Sequence, residues 1–254
     1  YLVVGQLATA SPVNPAAFSL GGQASVARFR LTQLASRPSV ATTFHRMLRR
    51  RGAEMARAAA RQGSVLRAAP QRQPPPTVGT KRTFKVCSST SCSATKNVPA
   101  TAQFVGVHAA IFVDDSVPAN GFTGSDLADI GNQFDTVLYP IDTDRFGAES
   151  DLDGNGVVIV LLTKQINALV PKPGCSTAFI TGYFYPGDLA PGFATQYNNG
   201  EVFYGMVPDP AGTASCSYST AFVKRILPVT FIHEFQHMIS FNQHVLLRGG
   251  NDEV

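Results

Sequence analysis

The sequence lacks any apolar run of the roughly 18–20 residues that a helix needs to cross a bilayer, so a transmembrane protein is excluded. It also lacks an initiating Met and a basic-then-apolar leader, since it begins at Tyr1, and we expect a start that is either processed or cut. Charged residues make up only 15% of the 254 residues and hydrophobic residues 44%, which is typical of a globular protein with a proper core.

Acidic residues are almost absent from the first third of the chain. Residues 1–85 contain 14 Lys and Arg against one acid, Glu54, which gives +13, whereas residues 86–254 carry −9. The overall charge of +4 therefore combines an acidic body with a basic arm. Because aromatic residues are sparse between its arginines, a nucleic-acid partner is not expected. The arm is a propeptide or spacer lying on the body, a contact for an anionic surface such as membrane or cell-wall polymer, or a solvated helix.

Cysteine is scarce, and its four residues lie in segments rich in Ser, Thr and Gly. Cys87 and Cys92 bracket a short loop that a disulfide could close, and Cys175 and Cys216 lie in two separate loops. Four cysteines allow three pairings, and the sequence does not choose among them. A four-cysteine zinc site is the rival, but only one pair has a short spacing. An even number of loop cysteines favours a secreted, extracytoplasmic protein.

Prolines and helix-forming residues divide the chain into three predicted regions. Residues 1–44 form a β-rich segment, residues 45–80 a basic helix with a Pro-rich linker, and residues 81–254 the main domain. The helix is expected from Phe44 to Ala69, with a thin apolar stripe that gains little by packing. The β-like pieces of the first region are expected at residues 1–4, 17–20 and 25–31.

The main domain is predicted to be α/β, of the α+β type, with a mixed sheet. Strands are expected at residues 82–86, 103–113, 157–162, 179–185 and 201–207. A helix over 126–138 has an apolar face made by Leu127, Ile130, Phe134 and Leu138. A final helix is expected over 220–245, with Pro228 as a kink or restart.

The strongest motif is His233-Glu234-Phe-Gln-His237 in this last helix. Residues four apart on an α-helix lie about 40° apart around the axis and about 6 Å along it, so the two imidazoles can share a tetrahedral Zn²⁺. Glu234 adjoins them and can take a proton from the water at the metal's open position, then pass it to a leaving amine. Because the helix is apolar nearly all round, we expect the three residues to be buried, where they need a shared partner.

Residues 233–241, His-Glu-Phe-Gln-His-Met-Ile-Ser-Phe, resemble the active-site helix of the hyicolysin-type family of secreted bacterial neutral metallopeptidases. Residues 150–162, 183–188 and 201–204 are similar to other blocks of that family. The resemblance covers about residues 80 to 250 and implies a gluzincin-like zinc endopeptidase of proteins or peptides, with a zincin-like N-terminal subdomain. The immune-inhibitor-type metallopeptidases share similar blocks.

The third zinc ligand is an open question in this sequence. A metzincin would have Gly at position 240 and His at position 243, but the chain has Ser240 and Gln243. The resemblance to gluzincins implies instead a Glu about twenty residues after the second His, beyond residue 254. We therefore expect a catalytic domain that is incomplete at its C-terminus and inactive as this fragment. The remaining donors near the end of the chain are His244, Asp252 and Glu253.

Two other functions fit the same residues. The chain could be a zinc hydrolase of another substrate class, such as a cell-wall amidase, in which case a substrate panel separates the two. It could also be a non-enzymatic secreted surface module with a vestigial motif, which predicts that no stoichiometric zinc is bound.

A second metal motif precedes the strand at 157–162. Asp151, Asp153 and Asn155 alternate before Gly156, as in the first half of a Ca²⁺-binding loop. The position of the usual closing Glu is Leu162, inside a strand, so another acid would have to substitute. The alternative is a plain Asp/Asn/Gly turn before a strand. The acids that could close the site are Asp142, Asp144 and Glu149.

Three lesser features have simpler interpretations. His108 lies in an apolar run and is predicted to be a hydrogen-bonded core histidine. His45, at the start of the basic helix, is predicted to be exposed to solvent. Residues 201–207 form either an ordinary strand or the sheet edge to which an extended peptide substrate adds.

Overall fold

The computed structural model describes residues 39–63, 72–176, 178–190, 192–193 and 197–250. The chain divides into two compact units, Tyr1–Arg37 and Pro38–Val254, and every described residue belongs to the second. The β-like pieces predicted within residues 1–31 lie outside the described residues. Across the described ranges, each helix is too short or too polar to span a membrane.

Six strands form one mixed sheet in the second unit. Their order across the sheet is β1-β2-β3-β4-β6-β5, in which β3, β4 and β6 are mutually parallel and the other neighbours are antiparallel. This mixed α/β architecture confirms the predicted fold class and is compatible with a zincin-like subdomain. The strands are β1 (Lys81–Cys87), β2 (Thr95–Val105), β3 (Ala109–Asp114), β4 (Val158–Leu162), β5 (Gly182–Phe184) and β6 (Val202–Gly205).

Helices accompany this sheet. The α-helices of the described residues are α1 (Val40–Arg61), α2 (Gly124–Gln133), α3 (Tyr139–Phe146), α4 (Lys164–Ala168) and α5 (Thr220–Ser240). A π-helical turn at Phe134–Leu138 joins α2 to α3, and another at Phe241–Leu246 extends α5. Short 3₁₀ turns lie at Lys172–Gly174 and Pro186–Leu189. Helix α5 continues through Pro228, so this residue neither stops nor restarts it.

The predicted apolar face of the helix after Thr123 is confirmed. Thr123 and Asp126 form a capping box, in which the Thr123 hydroxyl accepts the Asp126 N–H at 3.2 Å and Asp126 Oδ2 accepts the Thr123 N–H at 2.9 Å. The chain stays helical to Phe146, beyond the predicted end at residue 138. The apolar face of this segment is buried at Leu127, Ile130, Phe134 and Leu138.

The single strand predicted over residues 103–113 is wrong, because the chain turns back between β2 and β3. The Asp135 carboxylate accepts the backbone N–H groups of Val107 at 2.6 Å and His108 at 3.1 Å and so holds this turn. A side chain at Gly106 would collide with that carboxylate, so the turn requires glycine there. The apolar residues on both sides of the turn hide it in the sequence.

His108 is therefore a turn residue rather than a core residue of a strand. Its ring is half-buried and stacks on Tyr139, with the centroids 3.8 Å apart and the planes 6° apart. The prediction of a hydrogen-bonded core histidine is wrong because the chain turns back at His108 instead of continuing as a buried strand.

Helix α1 packs against the rest of the second unit along a broad face. It begins at Val40, where the Ser39 hydroxyl caps it by accepting the Thr42 N–H at 3.1 Å. A Cβ on Gly52 would lie 3.1 Å from Pro186 Cγ, so this glycine lets the helix approach the turn at Pro186–Leu189. The expectation that the helix gains little by packing is wrong, because Gly and Ala bring its backbone close. Its buried residues are Phe44, Leu48, Gly52, Ala53, Met55, Ala56 and Ala59.

The four cysteines form two disulfides, and Cys87 lies at the end of β1 whereas the other three lie outside the strands and α-helices. Cys87 pairs with Cys92 in the loop after β1, and Cys175 pairs with Cys216, which joins the loop before β5 to the loop before α5. All four cysteines of the chain are paired, so the four-cysteine zinc site is excluded. Two disulfides are consistent with an extracytoplasmic compartment.

Candidate metal centre

The two motif histidines of α5 point their rings at a common place. The Nε2 atoms of His233 and His237 lie 3.3 Å apart, and the ring centroids lie 4.7 Å apart. A tetrahedral Zn²⁺ with Zn–N distances of about 2.0–2.1 Å holds two ligand atoms about 3.3 Å apart. The separation of the two nitrogens therefore fits one shared zinc ion without rearrangement of the helix.

The three motif residues differ in exposure. Glu234 is buried, His237 is half-buried and His233 is exposed, so the expectation that all three are buried is wrong for the histidines. One face of α5 packs on the sheet through Phe231, whose ring centroid lies 5.1 Å from that of Phe203 in β6, and the next face carries the histidines to the surface. The histidine rings are therefore the more exposed part of the motif, and the Glu234 carboxylate is shielded from water.

The Glu234 carboxylate is oriented by the neighbouring sheet. Its Oε2 atom accepts the backbone N–H of Phe184 in β5 at 2.8 Å. Strand β5 is at the edge of the sheet, whereas β6 lies between β4 and β5. Residues 201–207 therefore do not form the sheet edge, and the strand beside the His-Glu motif is β5.

A third imidazole reaches this place from α1. His45 Nδ1 lies 3.9 Å from Glu234 Oε1, and the His45 ring centroid lies 6.0 Å from that of His233. The His45 side chain is only 19% exposed, so the prediction of a solvent-exposed residue is wrong. Burial, followed by the nearby His233 and His237, lowers the pKa of His45 from 6.5 to about 4. His45 is therefore a neutral imidazole at pH 7, the form that binds metal ions.

Sequence reasoning missed His45 because 188 residues separate it from the motif in the chain. No spacing rule connects a residue of the basic helix with the catalytic helix. The signal that could have found it is the preceding Phe44, an aromatic residue that marks the inner face of α1 and is buried against Tyr183 at a centroid distance of 5.2 Å.

The predicted calcium loop acquires a carboxylate from a different part of the chain. Ligand atoms of Asp151, Asp153 and Glu201 all lie within 4.8 Å of one another. Asp153 and Glu201 are 0% and 1% exposed. Asn155 is engaged inside the turn, where its Nδ2 donates to Asp153 Oδ2 at 2.9 Å and its Oδ1 accepts the Val157 N–H at 2.8 Å.

One oxygen of Glu201 is satisfied and the other is not. Oε1 accepts the Ser150 hydroxyl at 2.6 Å and the Leu152 N–H at 3.0 Å. Oε2 is buried and has no hydrogen-bond partner among the described residues. Burial raises the pKa of Glu201 to about 7. Arg82 is a neighbour of this cluster, and its Nη1 lies 3.8 Å from Asp153 Oδ2.

The chain is similar to one curated relative, and no protein-family model matches it. It is 32% identical over 130 residues to the neutral metalloprotease ShpI of Staphylococcus hyicus. The match covers 51% of this chain and 27% of that protein, so the chain spans about a quarter of the relative's length. This similarity supports a metalloprotease relationship at the coarse level.

Proposed function

We propose that this chain carries the zinc-binding part of a secreted endopeptidase that hydrolyses peptide bonds with metal-activated water. The observation that carries the proposal is the 3.3 Å separation of the His233 and His237 Nε2 atoms, with the Glu234 carboxylate beside them. The similarity to a neutral metalloprotease and the resemblance of residues 233–241 to the hyicolysin-type active-site helix support it.

In this proposal, each motif residue has one role. His233 and His237 hold the zinc ion, which would lower the pKa of a bound water and polarise the scissile carbonyl. Glu234 accepts the proton of the attacking water and returns it to the leaving amine. The Phe184 N–H holds Oε2 of this carboxylate and so sets its direction.

The third protein ligand is proposed to be the glutamate that the gluzincin resemblance implies beyond residue 254. The 254-residue chain on its own is then expected to bind zinc and to hydrolyse nothing. Secretion is proposed on the two disulfides, since such bonds persist in oxidising compartments. The contact of the basic arm with an anionic surface, the absence of a nucleic-acid partner and the division at residues 44 and 80 stay predictions.

We also propose that Asp151, Asp153 and Glu201 bind a structural Ca²⁺. The unpartnered Oε2 of Glu201 is the observation that favours an ion, because a buried carboxylate oxygen without a donor is costly and calcium takes carboxylate ligands. The position of the usual closing Glu in the loop is Leu162, so Glu201 supplies the missing carboxylate instead.

Metal analysis of the chain tests the zinc proposal. Purified wild-type chain is expected to hold about one zinc, and His233→Ala or His237→Ala to lose it, because two imidazoles of one site cannot be replaced by solvent without a large loss in affinity. His108→Ala is the matched control and keeps its metal, and His244→Ala examines the alternative donor. A wild-type chain without stoichiometric zinc would favour the surface module with a vestigial motif.

A substrate panel on the full-length gene product separates the two enzymatic readings. The endopeptidase is expected to clear casein, to stop when the metal is chelated and to recover when zinc returns. Release of peptides from the amino sugars of the cell wall, with casein intact, would instead identify the amidase. The two substrates share the amide bond, so only the flanking chemistry distinguishes them.

A further inference from the structure

Helix α1 places a histidine where a metal ion at the motif would be reached. Ligand atoms of His45, His233 and Glu234 lie within 4.8 Å of one another. Ligands of a tetrahedral zinc ion lie about 3.3 Å apart, so coordination by His45 requires a change in its side-chain torsions that brings the ring closer to His233. Three histidines are a known ligand set for zinc.

The position of His45 is set by strong anchors on both sides. Phe44 is 1% exposed and Leu48 is 3% exposed, so the residues before and one turn after His45 are fixed in the core. Further along α1, Arg51 donates to the carbonyl oxygens of Cys92 at 2.7 Å and Ser91 at 2.9 Å. Helix α1 is therefore docked, and His45 is directed at the catalytic residues by packing.

The docked helix also closes the cleft above Glu234. One pocket is lined by residues of α1 together with residues of β5, of the turn after it and of the motif: His45, Leu48, Arg49, Phe184, Pro186, Glu234 and His237. The space left for water in this pocket is about 10 Å³, roughly one molecule. A peptide is too large for this space, so a substrate cannot bind beside Glu234 while α1 is docked there.

We propose that His45 is a ligand of the metal held by His233 and His237, and that α1 keeps the site latent. This inference rests on the proposed function, because it needs the motif to hold a metal. The helix has two effects. The His45 imidazole coordinates the metal on the side that faces Glu234, and the helix itself occupies the cleft. Activation then requires α1 to leave, either by undocking or by cleavage of the chain between α1 and β1.

Cobalt substitution tests the ligand without any activity measurement. The 254-residue chain is loaded with Co²⁺, and the visible spectrum and cobalt affinity are compared for wild type, His45→Ala, His45→Gln and His108→Ala. Both His45 variants are expected to change the spectrum and to weaken binding by about tenfold or more, whereas His108→Ala matches wild type. Zinc X-ray absorption is expected to show three imidazoles in wild type and two in His45→Ala.

The outcomes separate this inference from the proposed function. Cobalt bound by wild type and by both His45 variants with superimposable spectra would overturn the assignment of His45 and leave the zinc hydrolase standing. Cobalt absent from wild type, or bound unchanged after His233→Ala, would remove the metal centre itself. Near-ultraviolet circular dichroism of each variant shows that the changes are local.

Latency is tested on the unprocessed full-length gene product with a fluorogenic peptide. If docked α1 leaves fewer than about a tenth of the molecules competent, His45→Ala is expected to raise the rate about tenfold. His108→Ala is expected to match wild type. A His45→Ala rate equal to or below that of wild type would show that His45 does not restrain the site.

Discussion

The backbone N–H of Phe184 donates to Oε2 of Glu234 at 2.8 Å and joins the edge strand of the sheet to the carboxylate of the motif. The two residues are 50 positions apart in the chain, and each belongs to an element with its own core contacts. The hydrogen bond therefore fixes the direction of the carboxylate from outside the catalytic helix.

Glu234→Gln is expected to abolish turnover in the full-length protein while zinc remains bound. Glutamine keeps the shape and the acceptor for Phe184 but cannot take a proton, and loss of a positioned acid–base group costs about 10²- to 10⁴-fold in rate. Casein hydrolysis and zinc content measured on the same sample check both halves of the prediction. The exposed Asp115→Asn is the control for loss of a carboxylate, and an unimpaired Glu234→Gln enzyme would remove Glu234 from the mechanism.

Glu201→Gln is expected to abolish the stabilisation of the chain by calcium. A ligand that binds only the folded state adds about 2.7 kcal/mol at a hundred times its Kd, so wild type should show a clear rise in Tm with added Ca²⁺. Glu149→Gln is the matched control, because Glu149 was a candidate for the same role on loop spacing alone. A Glu201→Gln variant that still responds to calcium like wild type would contradict the site.

Asp142→Asn is expected to stabilise the fold at neutral pH and not in acid. Burial raises the pKa of Asp142 from 3.8 to about 6, and its Oδ2 has no hydrogen-bond partner among the described residues. Between these pH values the folded state holds a proton that the unfolded state has released, so wild-type stability falls as pH rises from about 4 to about 6. Asparagine does not ionise, so Asp142→Asn removes this loss of stability.

The difference in Tm between Asp142→Asn and wild type should therefore be near zero below about pH 4 and reach roughly 2–5 °C at pH 7. Thermal unfolding over this pH range measures it. Asp144→Asn, two residues away and 72% exposed, is the control and should follow wild type. If Tm depends on pH in the same way in Asp142→Asn and in Asp144→Asn, the Asp142 carboxyl does not cause the loss of stability.

Arg51→Ala is expected to loosen α1, whereas Arg50→Ala is not. The Arg51 guanidinium makes two hydrogen bonds to backbone carbonyls of the Cys87–Cys92 loop, and bonds from a charged group contribute about 1.5–3 kcal/mol. Arg50 pairs with its helical neighbour Glu54, and both side chains are largely exposed. Hydrogen exchange of residues 40–61 should rise about tenfold in Arg51→Ala alone. Equal protection in both variants would contradict the anchor.

The parts of the site that sequence could predict are those encoded over short distances. His233, Glu234 and His237 share one helix, and helical geometry alone places their side chains together. The buried face of α2 and the fully buried strand β4 follow in the same way from local apolar patterns. Fold class follows from the order of such elements.

The parts that sequence could not predict depend on tertiary contacts. His45 and Glu201 reach their clusters from elements far along the chain, and no local pattern marks either residue as a ligand. The turn at residues 106–108 is hidden because its flanking strands make one continuous apolar run, and it is held by Asp135 from another element. Exposure of His233 likewise depends on which side of α5 the sheet covers.

The anchor of α1 has an evolutionary consequence. Arg51 binds the carbonyl oxygens of Ser91 and Cys92, which every amino acid possesses, so the loop can change its side chains freely provided that its backbone path is kept. Related sequences would then preserve an arginine on the helix and a pair of cysteines around the loop, without matched substitutions between the two segments. Covariation between aligned positions would miss this contact, whereas the length of the loop between the cysteines would reveal it.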